Sequence, residues 1–73
     1  MNDFAKNLAD ILRIKNISQK KLGDLLGVKQ NTVCQWVNGK REPTYDMLME
    51  ICILLDTDPS EMLGFQKIRN YTK

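Results

Sequence analysis

The sequence contains no histidine, only two cysteines and few aromatic residues. The absence of imidazole excludes Ser/His/Asp and Cys/His nucleophilic sites and every zinc site that uses a histidine ligand. Two cysteines are also too few for a four-thiolate metal site. Because the remaining side chains offer no pairing of a nucleophile with a base, we expect a protein that is not an enzyme and needs no cofactor or metal.

Long apolar runs are also missing. The longest, Ile51 to Leu55, has five residues, far below the roughly 20 that a membrane-spanning helix needs. The first four residues show no signal-peptide core. These absences predict a cytoplasmic protein that makes no contact with a membrane. In a reducing compartment Cys34 and Cys52, which are expected on different helices, are predicted to be free thiols.

The net charge is small, but the charged residues are unevenly distributed along the chain. The chain has 73 residues, a length that fits one small domain, and its net charge is +2. Residues 15–41 carry six basic side chains and one acid, whereas residues 42–61 carry six acids and no base. This polarity is typical of a polyanion-binding face backed by an acidic face. Ordinary solvated helix surface is the alternative that charge alone leaves open.

Apolar residues recur at helical spacing in five segments and never alternate as in a strand, so we predict an all-α fold. The first helix covers about residues 3–15. Ser18 and Thr44 are placed to cap the second and fourth helices, and the segment 58–61 has the aspartate, proline and glutamate of a capping box for the fifth. Gly27 is expected to stop the second helix, and Asn38 with Gly39 the third.

The predicted core follows from the same spacing. The third helix, from Gln30 to Asn38, buries Val33 and Trp36, and the fifth brings Met62 and Leu63 inward. The remaining inward-facing residues belong to the first, second and fourth helices: Phe4, Leu8, Ile11, Leu12, Leu22, Leu25, Leu26, Leu48, Ile51, Cys52 and Leu55.

Residues 19–39 are the most informative segment. Two short helices joined through a glycine turn must cross closely, and Gly23 supplies the small residue that such a crossing requires. On the third helix the outward positions are polar: Gln30, Asn31, Cys34 and Gln35. The segment therefore presents side chains that are able to form hydrogen bonds.

This pattern resembles the helix-turn-helix family of the phage Cro and cI repressors, the lambda-repressor-like domain, over nearly the whole chain. The matching pieces are Ser18-Gln19, Leu22-Gly23, Leu26-Gly27-Val28, Asn38-Gly39-Lys40 and Pro43-Thr44. The sequence departs from the family at Asp56, where glycine is frequent, at Gly23, where alanine is commoner, and at Val37, where glutamate is frequent. Aspartate tolerates a left-handed backbone better than most residues.

The resemblance implies a compact five-helix domain over residues 1–65, with the helix-turn-helix formed by helices 2 and 3. A polar, basic tail over residues 66–73 follows, and the sequence leaves its structure open. The third helix would lie in the major groove of double-stranded DNA with its N-terminal residues at base edges. The residues that would read bases are Lys29, Gln30, Asn31 and Gln35.

The resemblance also assigns phosphate contacts and a pairing surface. Gln19 is similar to the family glutamine that binds a phosphate and braces the recognition helix. The phosphate-contacting residues would be Gln19, Thr32, Asn38, Lys40 and Arg41. The surface for a homodimer would consist of Asp56, Thr57, Asp58, Pro59, Met62, Leu63 and Phe65.

The function so implied is a sequence-specific transcriptional regulator, a repressor of phage or mobile-element type that binds a two-fold operator as a homodimer. No small-molecule effector is evident. An antitoxin or a restriction-system controller of the same fold is an alternative. A helical protein-interaction domain that does not bind DNA is another, and an apolar or acidic outer face on the third helix would favour it.

Overall fold

The computed structural model describes residues 3–64, which form five α-helices and no strand. The helices are α1 (Phe4–Lys15), α2 (Gln19–Leu26), α3 (Gln30–Val37), α4 (Tyr45–Leu54) and α5 (Pro59–Met62). The predicted all-α class is confirmed. Phe65 and the predicted tail 66–73 lie outside the described residues.

Three of the five described helices, α2, α4 and α5, begin where a capping side chain accepts a hydrogen bond from a free backbone N–H group. The hydroxyl oxygens of Ser18 and Thr44 each accept a hydrogen bond from the backbone N–H three residues further on, at 3.0 and 3.2 Å. Asp58 and Glu61 form a reciprocal capping box at α5, whose first residue is Pro59. The sequence predicted all three of these starts, and they are confirmed.

Left-handed residues end several of the elements. Gly27 (φ 76°) and Gly39 (φ 74°) lie at the predicted stops, although α3 itself ends at Val37, one residue earlier than expected. Asp56 has φ 53°, so it takes the left-handed conformation for which the family often uses glycine. Asn16, with φ 58°, ends α1 in the same way, because asparagine is the commonest substitute for glycine at this position.

The core lies where α1 packs against α3 and α5, with α2 on α3 and α4 on α5. Val33 and Trp36 of α3 are buried as predicted. The fully or nearly fully buried apolar residues of the core are Phe4, Leu8, Leu12, Leu22, Val33, Trp36, Leu48, Ile51, Cys52, Leu55 and Met62. Ile11, Leu26 and Leu63 are partly buried around this cluster.

One prediction about burial was wrong, and Met62 had been assigned to two places that exclude each other. Leu25 is 49% exposed, because the buried side of α2 is centred on Leu22, Gly23 and Leu26. Met62 was expected both in the core and on the pairing surface, and its exposure of 0% places it in the core only.

Two further features of the described part follow. Cys34 on α3 and Cys52 on α4 are both free thiols, as predicted. None of the five helices has the length and apolar character to cross a membrane.

Candidate nucleic-acid interface

The turn between α2 and α3 packs directly on Gly23. A Cβ atom at this position would lie 2.8 Å from the carbonyl oxygen of Val28 and 3.5 Å from the backbone nitrogen of Gln30. The N–H of Val28 also donates to the carbonyl oxygen of Gly23 at 2.9 Å. The predicted close approach is therefore confirmed, and the group that comes close is the backbone of the turn that leads into α3. Gly23 thus fixes where α3 begins.

The beginning of α3 is open to solvent. Lys29 is the N-cap residue, with an extended backbone, and its carbonyl oxygen accepts a hydrogen bond from the N–H of Thr32 at 3.0 Å. Lys29, Gln30 and Asn31 are all exposed, whereas Thr32 is half-buried. The free N–H groups of a helix start and the helix dipole favour a negatively charged group near these side chains.

The outer side of α3 is polar along its length. Val33 and Trp36 point into the core, with exposures of 0% and 4%. Helical geometry places Asn31, Cys34, Gln35 and Asn38 on the opposite side. Of these, Asn31 and Asn38 are exposed and Cys34 and Gln35 are half-buried. The predicted orientation of this helix is confirmed, and its accessible side carries amide groups.

The loop after α3 is held against the end of that helix. The carbonyl oxygen of Gln35 accepts hydrogen bonds from the backbone N–H groups of Lys40, at 2.9 Å, and Arg41, at 3.3 Å. The side chains of Lys40 and Arg41 are exposed. Two cations are therefore anchored by their backbones beside the last turn of α3, which is a connection that the sequence pattern did not indicate.

Asn38 and Gln19 are placed differently from each other. The side-chain amide of Asn38 donates to Sγ of Cys34 at 3.2 Å, so it lies along the outer side of α3. Gln19 is half-buried at the first residue of α2. Within the part of the chain that the structure describes, no hydrogen bond joins its amide to Gln30.

The charges separate between elements. The basic residues of the segment 15–41 are all exposed: Lys15, Lys20, Lys21, Lys29, Lys40 and Arg41. The one acid of that segment, Asp24, pairs with Lys20 at 3.2 Å. Exposed carboxylates of α4 and its following turn, Asp46, Glu50 and Asp56, belong to the acidic segment. The segment 15–41, which contains α2 and α3, thus combines net positive charge with hydrogen-bonding side chains.

The described residues of the predicted pairing surface lie in the turn between α4 and α5, at the first residue of α5 and at its C-cap. Asp56 and Asp58 are exposed there, and Thr57, Pro59 and Leu63 are half-buried. One connection to this region was missed. The side-chain amide of Asn7 donates to the carbonyl oxygens of Glu61 and Met62, at 3.2 and 2.9 Å, which ties α1 to the end of α5. Its position one turn from both Phe4 and Ile11, a polar residue on an apolar side, was the signal available in the sequence.

No group of three metal-binding side chains (His, Cys, Asp or Glu) comes together within residues 3–64. The accessible side of α3 offers hydrogen-bonding side chains, and the exposed cations Lys29, Lys40 and Arg41 lie at its two ends. This arrangement is suited to recognising a polar, negatively charged surface.

Comparison with known proteins gives two matches. The model of a protein family described as helix-turn-helix matches residues 8–62 of this chain. A curated relative, the HTH-type transcriptional regulator AnsR of Bacillus subtilis (strain 168), is 33% identical over 60 residues, which cover 82% of this chain. The matched region is 52% of the relative's length, so the chain spans about half of that protein. No solved structure gives a significant match.

Proposed function

Since the chain belongs to the helix-turn-helix family, we propose that it is a sequence-specific DNA-binding transcriptional regulator. The observation that carries this proposal is the accessible side of α3, where amide side chains lie between exposed cations at both ends of the helix. A protein-interaction domain that does not bind DNA would be expected to have an apolar or acidic surface there. The similarity to AnsR of Bacillus subtilis, an HTH-type transcriptional regulator, supports the same proposal.

The base-reading residues are Lys29, Gln30, Asn31 and Gln35. Glutamine and asparagine amides pair with the N6 and N7 positions of adenine, and lysine donates to the O6 and N7 positions of guanine. The first three of these residues are exposed around the start of α3, the part of a recognition helix that meets base edges. Gln35 lies one turn beyond Asn31 on the same side of the helix.

The phosphate contacts are made by Gln19, Thr32, Asn38, Lys40 and Arg41. Lys40 and Arg41 carry most of this contribution, because their backbones are fixed to α3 while their side chains reach into solvent. Such contacts set the position of the protein on the duplex without reading its sequence.

We also propose that two chains bind a two-fold operator and that the regulator is a repressor of phage or mobile-element type. One recognition helix contacts too few base pairs for high specificity, which favours a homodimer. The residues assigned to the pairing surface are Asp56, Thr57, Asp58, Pro59, Leu63 and Phe65, now without Met62.

Gln30 provides the sharpest test. Replacing it by alanine removes an exposed amide, so the fold is expected to persist while selectivity at one base pair of each half-site falls by about 1–3 kcal/mol. The measurement is binding to an operator series varied at each base pair, after the operator has been selected from random duplexes. Thermal unfolding of Gln30→Ala serves as a check on the fold.

A matched control is Glu50→Ala, which removes an exposed polar side chain from α4. This variant should retain the base preference of the parent protein. If Gln30→Ala keeps full discrimination at every position, or if it loses stability, Gln30 does not read a base and the assigned reading surface is wrong.

A further inference from the structure

Asn38 is hydrogen-bonded to Cys34 twice at the end of α3. Its backbone N–H donates to the carbonyl oxygen of Cys34 at 3.1 Å, and its side-chain amide donates to Sγ of Cys34 at 3.2 Å. Sulfur is a weak acceptor, but the backbone bond keeps the two residues one turn apart on the same side of the helix, where their side chains meet. The Asn38 side chain is therefore held in one direction although it is exposed to solvent.

The amide held in this way belongs to the proposed DNA-binding surface. Asn38 is the C-cap residue of α3, three residues after Gln35 and two before Lys40, so it joins the outer side of the helix to the cations of the loop. An asparagine amide has two N–H donors, and Cys34 uses one of them. The second remains free to donate to a phosphate oxygen, which accepts hydrogen bonds from such side chains.

The other neutral side chains assigned to phosphate are not restrained. Within residues 3–64, no hydrogen bond holds the side chain of Gln19 or Thr32. A side chain that becomes ordered only when it meets its ligand reduces the affinity, whereas one that is ordered beforehand avoids this cost. Asn38 is thus the neutral phosphate contact whose direction is already set in the free protein.

We propose that Cys34 is a positioning residue for Asn38, whose amide it holds so that the second N–H faces a DNA phosphate. This inference rests on the proposed function, because it assigns a role within the same DNA-binding surface. Cys34 lies on the outer side of α3 among the proposed base-reading residues, yet it acts through its neighbour. A neutral contact to phosphate adds affinity for every duplex and carries no information about base sequence.

The first measurement needs no DNA. NMR relaxation of the Asn38 side-chain amide should show restricted motion in the parent protein. Cys34→Ala removes the acceptor and should make this amide mobile, whereas Cys34→Ser, whose hydroxyl oxygen also accepts hydrogen bonds, should keep it restricted. The amide of Asn16, which is exposed at the end of α1, is the control and should be unaffected. Equal motion of the Asn38 amide in the parent and in Cys34→Ala would overturn the proposal.

The second measurement is binding to the selected operator and to an unrelated duplex. Cys34→Ala should weaken binding to both by about two- to tenfold, the loss expected when one side chain must be ordered on binding, and Cys34→Ser should restore it. In an Asn38→Ala background, Cys34→Ala should have no further effect. The salt dependence should match that of the parent, because no charge is removed.

The background variant separates positioning from direct contact. A loss in Cys34→Ala that persists in the Asn38→Ala background, or that is confined to particular base pairs, would mean that Cys34 contacts DNA itself and would overturn the proposal. Thermal unfolding of each variant sets the temperature range in which binding is compared. A parent protein that binds no duplex would contradict the proposed function, while the amide relaxation would still decide whether Cys34 holds Asn38.

Discussion

Gly23 shows how one missing side chain positions a functional helix. The hydrogen atom of this glycine leaves room for the carbonyl oxygen of Val28, and that turn leads directly to Gln30. Gly27 lies only four residues away but serves another purpose, since it has a left-handed backbone and open space around it. The first glycine is required by contact and the second by conformation.

Alanine substitutions separate these two reasons. At Gly23, alanine gains about 1 kcal/mol of helix propensity but overpacks the turn at a cost of about 1–3 kcal/mol, so we expect a small net loss in the free energy of unfolding. At Gly27, alanine should cost about 1–2 kcal/mol from left-handed strain alone. Chemical denaturation measures both. Gly27→Asn, which tolerates this backbone, is the control and should lose less than Gly27→Ala.

Binding to the operator gives a second measurement of these variants. Gly23→Ala should weaken binding to the selected operator, because the turn must shift, whereas Gly27→Ala should affect stability more than affinity. A Gly23→Ala protein more stable than the parent would show that the turn adjusts freely.

Cys52 provides a prediction about pH. Burial raises the pKa of its thiol, and the nearby Asp58 carboxylate adds to this effect. Below the ordinary thiol pKa both folded and unfolded chains keep the proton, so Cys52 has no influence on the pH dependence. At higher pH the unfolded chain loses its proton first, so the free energy of unfolding should fall as the pH rises. Cys52→Ala should be less stable overall but should lack this part of the alkaline decline, which denaturation across a pH series measures.

At the scale of elements, α3 and the loop behind it form one unit. The carbonyl oxygen of Gln35 receives two backbone N–H groups from the loop, and Asn38 folds its amide back onto Cys34. The backbones of the two loop cations are thus held at a fixed place relative to α3. Nonspecific attraction and base reading would therefore act from one rigid surface.

Loss of Lys40 or Arg41 should weaken binding to all duplexes alike. Alanine at either position removes one phosphate contact, so the slope of the logarithm of the binding constant against the logarithm of salt concentration should fall by about one unit. Titrations over a range of salt concentrations measure this slope. Lys40→Arg, which keeps the charge, should retain the slope of the parent. An unchanged slope in both alanine variants would place these side chains away from phosphate.

For the whole molecule, the separation of charge sets the expected mode of assembly. The helix-turn-helix carries the basic segment, and α4 with its following turn carries exposed acids. This division keeps the acids out of the proposed DNA-binding surface, and the amide of Asn7 holds α5 in place by linking it to α1. The proposed pairing surface and the proposed reading surface share no residue, so each can be changed without altering the other.

Stoichiometry on DNA tests this assembly. Sedimentation of the protein with a two-fold operator duplex should show two chains bound, because each recognition helix reads one half-site. A duplex that contains a single half-site is the control and should bind one chain with lower affinity. Full affinity for the two-fold duplex with only one chain bound would contradict the proposed homodimer.

The sequence by itself determined where the helices begin and most of the core. Ser18, Thr44 and Asp58 mark helix starts because a cap acts on backbone groups within about one turn, so its effect is legible in a short stretch of sequence. Helical spacing likewise identified the buried sides of α3 and α4. The arrangement of α2 and α3 was implied by the resemblance to the Cro and cI family, and the sequence itself indicated only the close crossing at Gly23.

The tertiary structure decided which edges of these helices are covered. Leu25 and Ile53 are apolar yet exposed, because no described helix packs over their side of α2 or α4, while Met62 is enclosed by its neighbours. The bonds from Asn7 to α5 and from Gln35 to the loop join groups whose pairing no local pattern encodes. Capping depends on residues adjacent in sequence, whereas burial and long-range hydrogen bonds depend on which elements meet in space, and only the folded chain settles that.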